Sequence, residues 1–335
     1  MKKLFFSLVA MMIAAVSYAQ NTLVVTLSHG EDITMYYGRF ALRDAMDAAQ
    51  SGDVINLSGG AFQAVNITKG VTIRGTGIDD NTPTYIIGDF AINIPAEDAN
   101  RLSIEGVRCP GTITMRGSFN NPLFMKSQFY MFTYGDPSVI KNAMFTNCKI
   151  TGNFLMSYGS NTAQFINSYV SGFDNSYYLA GNTGASFLNC IIFPINNGVR
   201  ADYIFRSQLN NCIIYKTVRS DDYALPASSI ATNCVGIGYK DPFRASAANT
   251  NNQLASFEEV FKTFTGSYSE SELFELTDEA KTKFQGDDGK EVGWYGGLLP
   301  YTSTPSYPQI TKMNVANKTT ADGKLSVEIE VSAAQ

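Results

Sequence analysis

Arg200, Asp202 and Arg206 are followed, about twenty residues later, by Arg219, Asp221 and Asp222. If that interval equals one structural repeat, guanidinium and carboxylate groups stack into a single outward patch. Two chemistries on a polysaccharide use such groups. An arginine or lysine can take a proton from an acidic sugar while carboxylates hold Ca²⁺, and two suitably placed carboxylates can hydrolyse a glycosidic bond. The candidate catalytic residues are therefore Arg200, Asp202, Arg219 and Asp222. Ca²⁺ enters only with the lyase chemistry, and no other cofactor or metal is expected. The simpler reading of the same residues is an exposed ladder of Arg-Asp pairs, which adds little stability.

A second row is aromatic. Tyr158, Tyr177, Tyr178, Tyr203 and Tyr223 each precede a repeated Asn-Cys or Asn-Ser unit. Tyrosine offers a flat apolar ring with a polar edge. Tyr158, Tyr178, Tyr203 and Tyr223, beside Asn153, Asn175, Asp202 and Asp222, are candidates for a shallow glycan-binding track; the alternative places these rings in the interior.

Both rows depend on a repeat. Phe145-Thr-Asn-Cys-Lys-Ile150, Phe165-Ile-Asn-Ser-Tyr-Val170, Phe187-Leu-Asn-Cys-Ile-Ile192, Leu209-Asn-Asn-Cys-Ile-Ile214 and Ala231-Thr-Asn-Cys-Val-Gly236 recur with asparagines 20, 22, 22 and 22 residues apart. Ser127 and Cys109 extend the Cys/Ser column towards the N-terminus. A unit of this length, rich in Val, Ile, Phe, Asn and Gly and lacking helical periodicity, suits one coil of a parallel β-helix. Each copy then contributes one residue to each inward column: Phe145, Phe165, Phe187 and Leu209; Cys148, Ser168, Cys190, Cys212 and Cys234; Ile150, Val170, Ile192 and Ile214. Asn147, Asn167, Asn189, Asn211 and Asn233 occupy the bend, because asparagine tolerates left-handed backbone angles and stacked amides can bond along the column.

Strands in adjacent coils lie about 4.8 Å apart with parallel side chains, whereas a disulfide needs converging Cβ atoms closer together. The five cysteines are expected to be free, buried thiols. The residue after Cys/Ser changes from Lys149 and Tyr169 to Ile191, Ile213 and Val235, so one outer face turns apolar in later coils. The C-terminal region is the candidate to cover it.

Leu42-Arg-Asp-Ala-Met-Asp-Ala-Ala49, ended by Gly52, reads as a short helix with Leu42, Ala45, Met46 and Ala49 on its apolar side, followed by a strand. With Val71-Thr-Ile-Arg-Gly-Thr-Gly77 it resembles the opening of right-handed parallel β-helix proteins of the pectin-lyase-like superfamily, whose first coil is capped by a helix. Over residues 39–300 the resemblance implies architecture rather than activity, because that fold hosts lyases, hydrolases, adhesins and non-enzymes. The Arg-x-Pro-x-x-Arg pattern of pectate lyases is missing, and of the polygalacturonase patterns only an isolated His29-Gly30 occurs, without Asn-Thr-Asp or Arg-x-Lys, so their catalytic residues do not carry over. Asp287-Asp-Gly-Lys-Glu-Val-Gly-Trp-Tyr-Gly-Gly297 is similar to the closing segment of uncharacterised exported β-helix proteins of Gram-negative bacteria.

Ser256 and Glu259 form a capping box opening a helix expected over 256–264, placed to cap the last coils, and Trp294 reads as a packing plug. Pro300, Pro305 and Pro308 mark a linker. Leu325, Val327, Ile329 and Val331 alternate with polar residues as a half-buried strand, which can pair with Ile310 to Val315.

At the other end, Lys2 and Lys3, the apolar run Leu4 to Val16 and Ser17-Tyr-Ala19 read as a secretory signal. Its removal takes the net charge from −5 to −7, an acidity that disfavours nucleic acid as a partner. No segment is long enough to span a bilayer as a helix, so membrane insertion is not expected. A single histidine, His29, excludes sites built on two histidines.

The expected architecture is all-β, a single-stranded right-handed parallel β-helix of about ten coils with an N-terminal capping helix and a small C-terminal β appendage. Its parts are a signal peptide (1–19), the β-helix (20–300, with a capping helix near 39–50 and a C-terminal capping segment near 254–300), a linker (301–308) and a hairpin (309–335). The expected function is that of an exported, non-catalytic protein of a Gram-negative periplasm, cell surface or medium, presenting an elongated face to polysaccharide or a surface protein. The alternatives are a lyase or hydrolase of acidic polysaccharide and a scaffold component of a surface assembly.

Overall fold

The computed structural model describes residues 23–79, 82–156, 161–174, 184–192, 204, 206–216, 225, 227–238, 241–243, 248–264, 266, 269–315, 318, 322–324 and 326–332. The chain winds as a right-handed parallel β-solenoid. Its first sheet stacks ten parallel strands from Val54–Leu57 to Ala248–Thr250, preceded by the antiparallel pair Val24–His29 and Asp32–Tyr37. The second sheet runs from Gly60–Gln63 to Gln253–Ala255 and includes two long strands, Val107–Asn120 and Gln128–Lys141.

The repeat sets the register. Phe124, Phe145, Phe165, Phe187, Leu209 and Ala231 are aligned in successive coils. All are fully buried, and the first four rings stack face to face at 4.6–5.0 Å. Phe129, Ile150, Val170, Ile192 and Ile214 make the facing column. These aromatic and branched side chains fill a narrow interior to crystal-like density, so the coils cannot slip without exposing a whole column.

Asn147, Asn167, Asn189, Asn211 and Asn233 all sit in the left-handed region, with φ of 45–56°. Each backbone N–H donates to the carbonyl just before the corresponding residue of the next coil, at 2.9–3.0 Å. The column is thus a ladder through its backbone. The expected amide-to-amide bonds are replaced: Asn167 Nδ2 donates to the carbonyls of Trp294 and Gly296, and Asn211 Nδ2 donates to Asp287.

The five thiols are free and buried. Cys148, Cys190, Cys212 and Cys234 each donate to a carbonyl in the preceding coil at 3.2–3.5 Å, and Ser168 Oγ does the same at 3.1 Å. This shared bond explains why Cys and Ser exchange in one slot. Cys109 departs from expectation: it pairs with Phe129, two positions away from the Ser127 slot, and Val107 takes the place assigned to it. Paired residues there are 20 apart, so the residue stacked on Ser127 is Val107 and not Cys109, which lies only 18 residues before it.

The helix, α1 (Ala41–Ala48), is shorter than expected. It ends at Ala49, and Lys69 Nζ satisfies its last carbonyls at 2.8 Å from Met46 O and Asp47 O. Its apolar side belongs to the solenoid core and closes the first coil.

The later outer face is covered as expected. Tyr169, Ile191, Ile213 and Val235 form a second core with Phe261, Phe264, Phe274, Phe284, Val292 and Trp294. The helix expected over 256–264 is a single turn, α2 (Phe257–Val260), with its capping box intact. Phe261 instead bridges Leu276 in extended backbone, and the segment packs with Tyr169, Ile191, Ile213 and Val235 along the side of the solenoid. A second short helix, α3 (Asp278–Lys283), completes the cover.

From there the chain runs back along the solenoid as a strap. Gly293 N bonds Asn211 O, Tyr301 OH donates to Asp79, Ser306 N donates to Glu105, and Tyr307 OH donates to Gly75 O. That path crosses six coil steps, roughly 29 Å at the spacing of paired strands. Gly296 is required: a Cβ there would lie 1.7 Å from Glu291 O and 2.5 Å from Asn189 Nδ2. Beyond the strap, Gln309–Val315 and Val327–Ser332 pair antiparallel as a separate sheet. Val327, Ile329 and Val331 are exposed, so this strand is not half-buried among the described residues.

Two outcomes test this packing. Asn167→Ala loses two bonds to the strap and strains a left-handed position, so chemical denaturation followed by Trp294 fluorescence should show a loss of about 2–3 kcal/mol. Asn167→Gly, which keeps the backbone angle, should lose less. In the native protein no thiol should react with a thiol reagent, and all five should react after unfolding.

Candidate functional site

The expected catalytic residues Arg200, Asp202, Arg219 and Asp222 lie outside the described residues. So do Tyr158, Tyr177, Tyr178, Tyr203, Tyr223, Asn175 and Asp221. Arg206 and Asn153 are described and exposed. Asn147, Asn167, Asn189, Asn211 and Asn233 share the left-handed bend and Cys148, Cys190, Cys212 and Cys234 share one inward slot, while Cys109 does not join them.

Two other features emerge. The first is a charged cleft of about 600 Å³ between the solenoid and the cover, lined by Asp79, Arg108, Lys149, Glu270, Tyr295 and Tyr301. The sequence reading passed over most of these because they span some two hundred residues. One signal was available: Lys149 is a cation in a column that otherwise becomes apolar.

Lys149 is almost entirely buried. Its Nζ lies 3.3 Å from Asp79 Oδ1, and the rings of Trp294 and Tyr301 flank it at 5.8 and 5.6 Å. Burial pushes the Lys149 pKa down, and the Asp79 carboxylate opposes that shift. Arg108 bridges Asp79 at 3.7 Å and Glu270 at 3.1 Å. The cleft therefore balances two cations against two anions. An ion-paired cluster of this kind, with Tyr301 donating to Asp79, clamps cover to coil. A lysine with a lowered pKa is also what a general base requires.

The second feature is a shallow groove of about 420 Å³ on the outer face of the first sheet. Met144, Gln164, Ser186, Gln208 and Ile230 occupy one register row across five coils. Gly184, which has no side chain, keeps the groove low and Arg206 stands at its edge, while Ala163 and Ala185 point inward into the core. Gln164 and Gln208 make no side-chain hydrogen bond among the described residues. The neighbouring row carries Ile166 and Leu188, the latter 39% exposed. An amide row beside an apolar row matches a sugar chain, whose rings have apolar faces and hydroxyl edges.

Among the described residues no cluster of His, Cys, Asp or Glu is placed to hold a metal ion. No helix in the described part is long and apolar enough to cross a membrane. No protein family, curated protein or solved structure matches this chain.

The cover carries a pH dependence. Burial pushes Tyr295 up to about 12, and burial with the nearby Asp79 carboxylate pushes Tyr301 higher still. Tyr307 is raised by burial and by Glu105, against Arg74. An unfolded tyrosine titrates near 10, so these phenols stabilise the fold fully below pH about 10 and progressively less as pH rises through 12. The fluorescence of Trp294, the only tryptophan, stacked on Tyr301 at 3.9 Å, should change first over that range. Tyr301→Phe should move the midpoint upward.

Proposed function

We propose that the protein is an exported, non-catalytic β-helix of a Gram-negative cell envelope that holds a polysaccharide along the outer face of its first sheet. The observation that carries this reading is the row Gln164, Ser186 and Gln208. The two amides stand two coils apart, about 9.6 Å at the spacing of paired strands, which is the length scale of a disaccharide. Amides at that interval, unpaired among the described residues, can each bond the hydroxyls of alternate sugars. Glycoside hydrolysis needs two carboxylates, and none lines the groove among the described residues. The leader-like residues 1–19 support export, and Leu42–Gly60 with Val71–Gly77 supports kinship with pectin-lyase-like β-helices.

A scaffold could have used the late apolar outer face or the C-terminal strand to hold a partner, and the first of these is covered by the chain itself. The lyase alternative has one observation in its favour, the lowered pKa of Lys149 beside Arg108 in the charged cleft. Against it, every charged group there is already paired.

Purified mature protein should be retained on one or more immobilised polysaccharides from a neutral and acidic panel, without releasing reducing or unsaturated ends. The double variant Gln164→Ala/Gln208→Ala should weaken retention about tenfold or more, each lost bond contributing about 1 kcal/mol, with no change in thermal unfolding. Unsaturated product abolished by Lys149→Met would instead establish the lyase.

A further inference from the structure

The strand Asp32–Tyr37 ends the first sheet. It pairs with Val24–His29 along one edge and has no partner strand on the other among the described residues. Thr34 and Tyr36 lie opposite Leu27 and Val25 on the inward side. Ile33, Met35 and Tyr37 take the outward side, 65%, 56% and 63% exposed. An open edge carrying three large apolar side chains is a template for another strand, and sheets normally protect such edges.

We propose that this edge pairs antiparallel with the same edge of a second copy, making a two-fold, head-to-head dimer in which the first sheets of both copies are continuous. The occupant follows from the sequence of the strand. In an antiparallel pair, directly opposed residues point to the same face, so a symmetric pairing must be centred on a residue. Centring on Met35 sets Met35 against Met35 and Ile33 against Tyr37, so every exposed apolar side chain meets another. The same register brings Glu31 of each copy towards Arg39 of the other. Both are exposed, and Arg39, with one donor on Gln63, keeps further donors for a carboxylate. Asp32 falls opposite Gly38, which keeps the two Asp32 carboxylates apart.

The test uses the mature full-length chain. Light scattering after size exclusion should give twice the chain mass, with dissociation on dilution. Opposed Cα atoms at the two-fold would be about 4.5–5.5 Å apart, within the disulfide range. Met35→Cys should therefore form a covalent dimer on mild oxidation, without background from the native thiols, which are all buried. Ile33→Cys should not cross-link to itself, being offset by about 13 Å along the strand, but should cross-link when mixed with Tyr37→Cys. Glu31→Arg and Arg39→Glu should each weaken association several-fold, and the double exchange should restore it. A monomeric wild type at all concentrations, or equal self-cross-linking at Met35→Cys and Ile33→Cys, would overturn the proposal.

Discussion

The structure depends on one backbone constraint: each coil must turn at the same point, so that its strands meet those of the next coil in register. The five asparagines supply that turn at positive φ, a conformation most side chains resist. Because each asparagine N–H bonds to the following coil, the turn and the stacking are the same interaction seen twice. Slipping one coil would break this ladder together with the aromatic stack beside it. A fold made of long-range contacts thereby acquires a local signal that recurs along the chain.

The cover and strap solve the problem which that regularity leaves behind. A solenoid whose outer face turns apolar must bury that face, and here the same chain does so, by running back over coils already formed. The strap uses the asparagine column as an anchor. Asn167 and Asn211 direct their amides outward to the closing segment rather than to each other. Gly296 permits the close approach, and the stacked Trp294 and Tyr301 seal it. The charged cleft lies where strap, cover and early coils meet, which accounts for a lysine so deeply buried. Its charge is tolerated because Asp79 and two aromatic faces replace water.

The outer face of the first sheet meets different demands. The cover packs on the second sheet and the strap follows the turn column, so neither lines the groove of Gln164, Ser186 and Gln208. A repeat protein presents chemistry at fixed intervals, so an extended polymer of similar period is a natural counterpart. The proposed sugar recognition there needs no catalytic group, only hydrogen-bonding side chains held at the right spacing by a rigid sheet.

The sequence by itself determined the solenoid, the identity of its inward columns, the free thiols and the need to cover a late apolar face. Each of these is written in residues one coil apart, and a repeat makes long-range neighbours predictable from short spacing. Only the tertiary structure decided what lies between non-repeating parts. It moved Cys109 out of its expected slot, cut the helix after Ser256 to one turn, and turned an end cap into a lateral cover. It also joined Asp79, Arg108, Lys149, Glu270 and Tyr301 into one cleft. Arg108 and Lys149 share one register row through Gln128, but no period links them to Asp79, Glu270 or Tyr301, whose meeting with that row is set by the path of cover and strap and so by the packing of the whole chain.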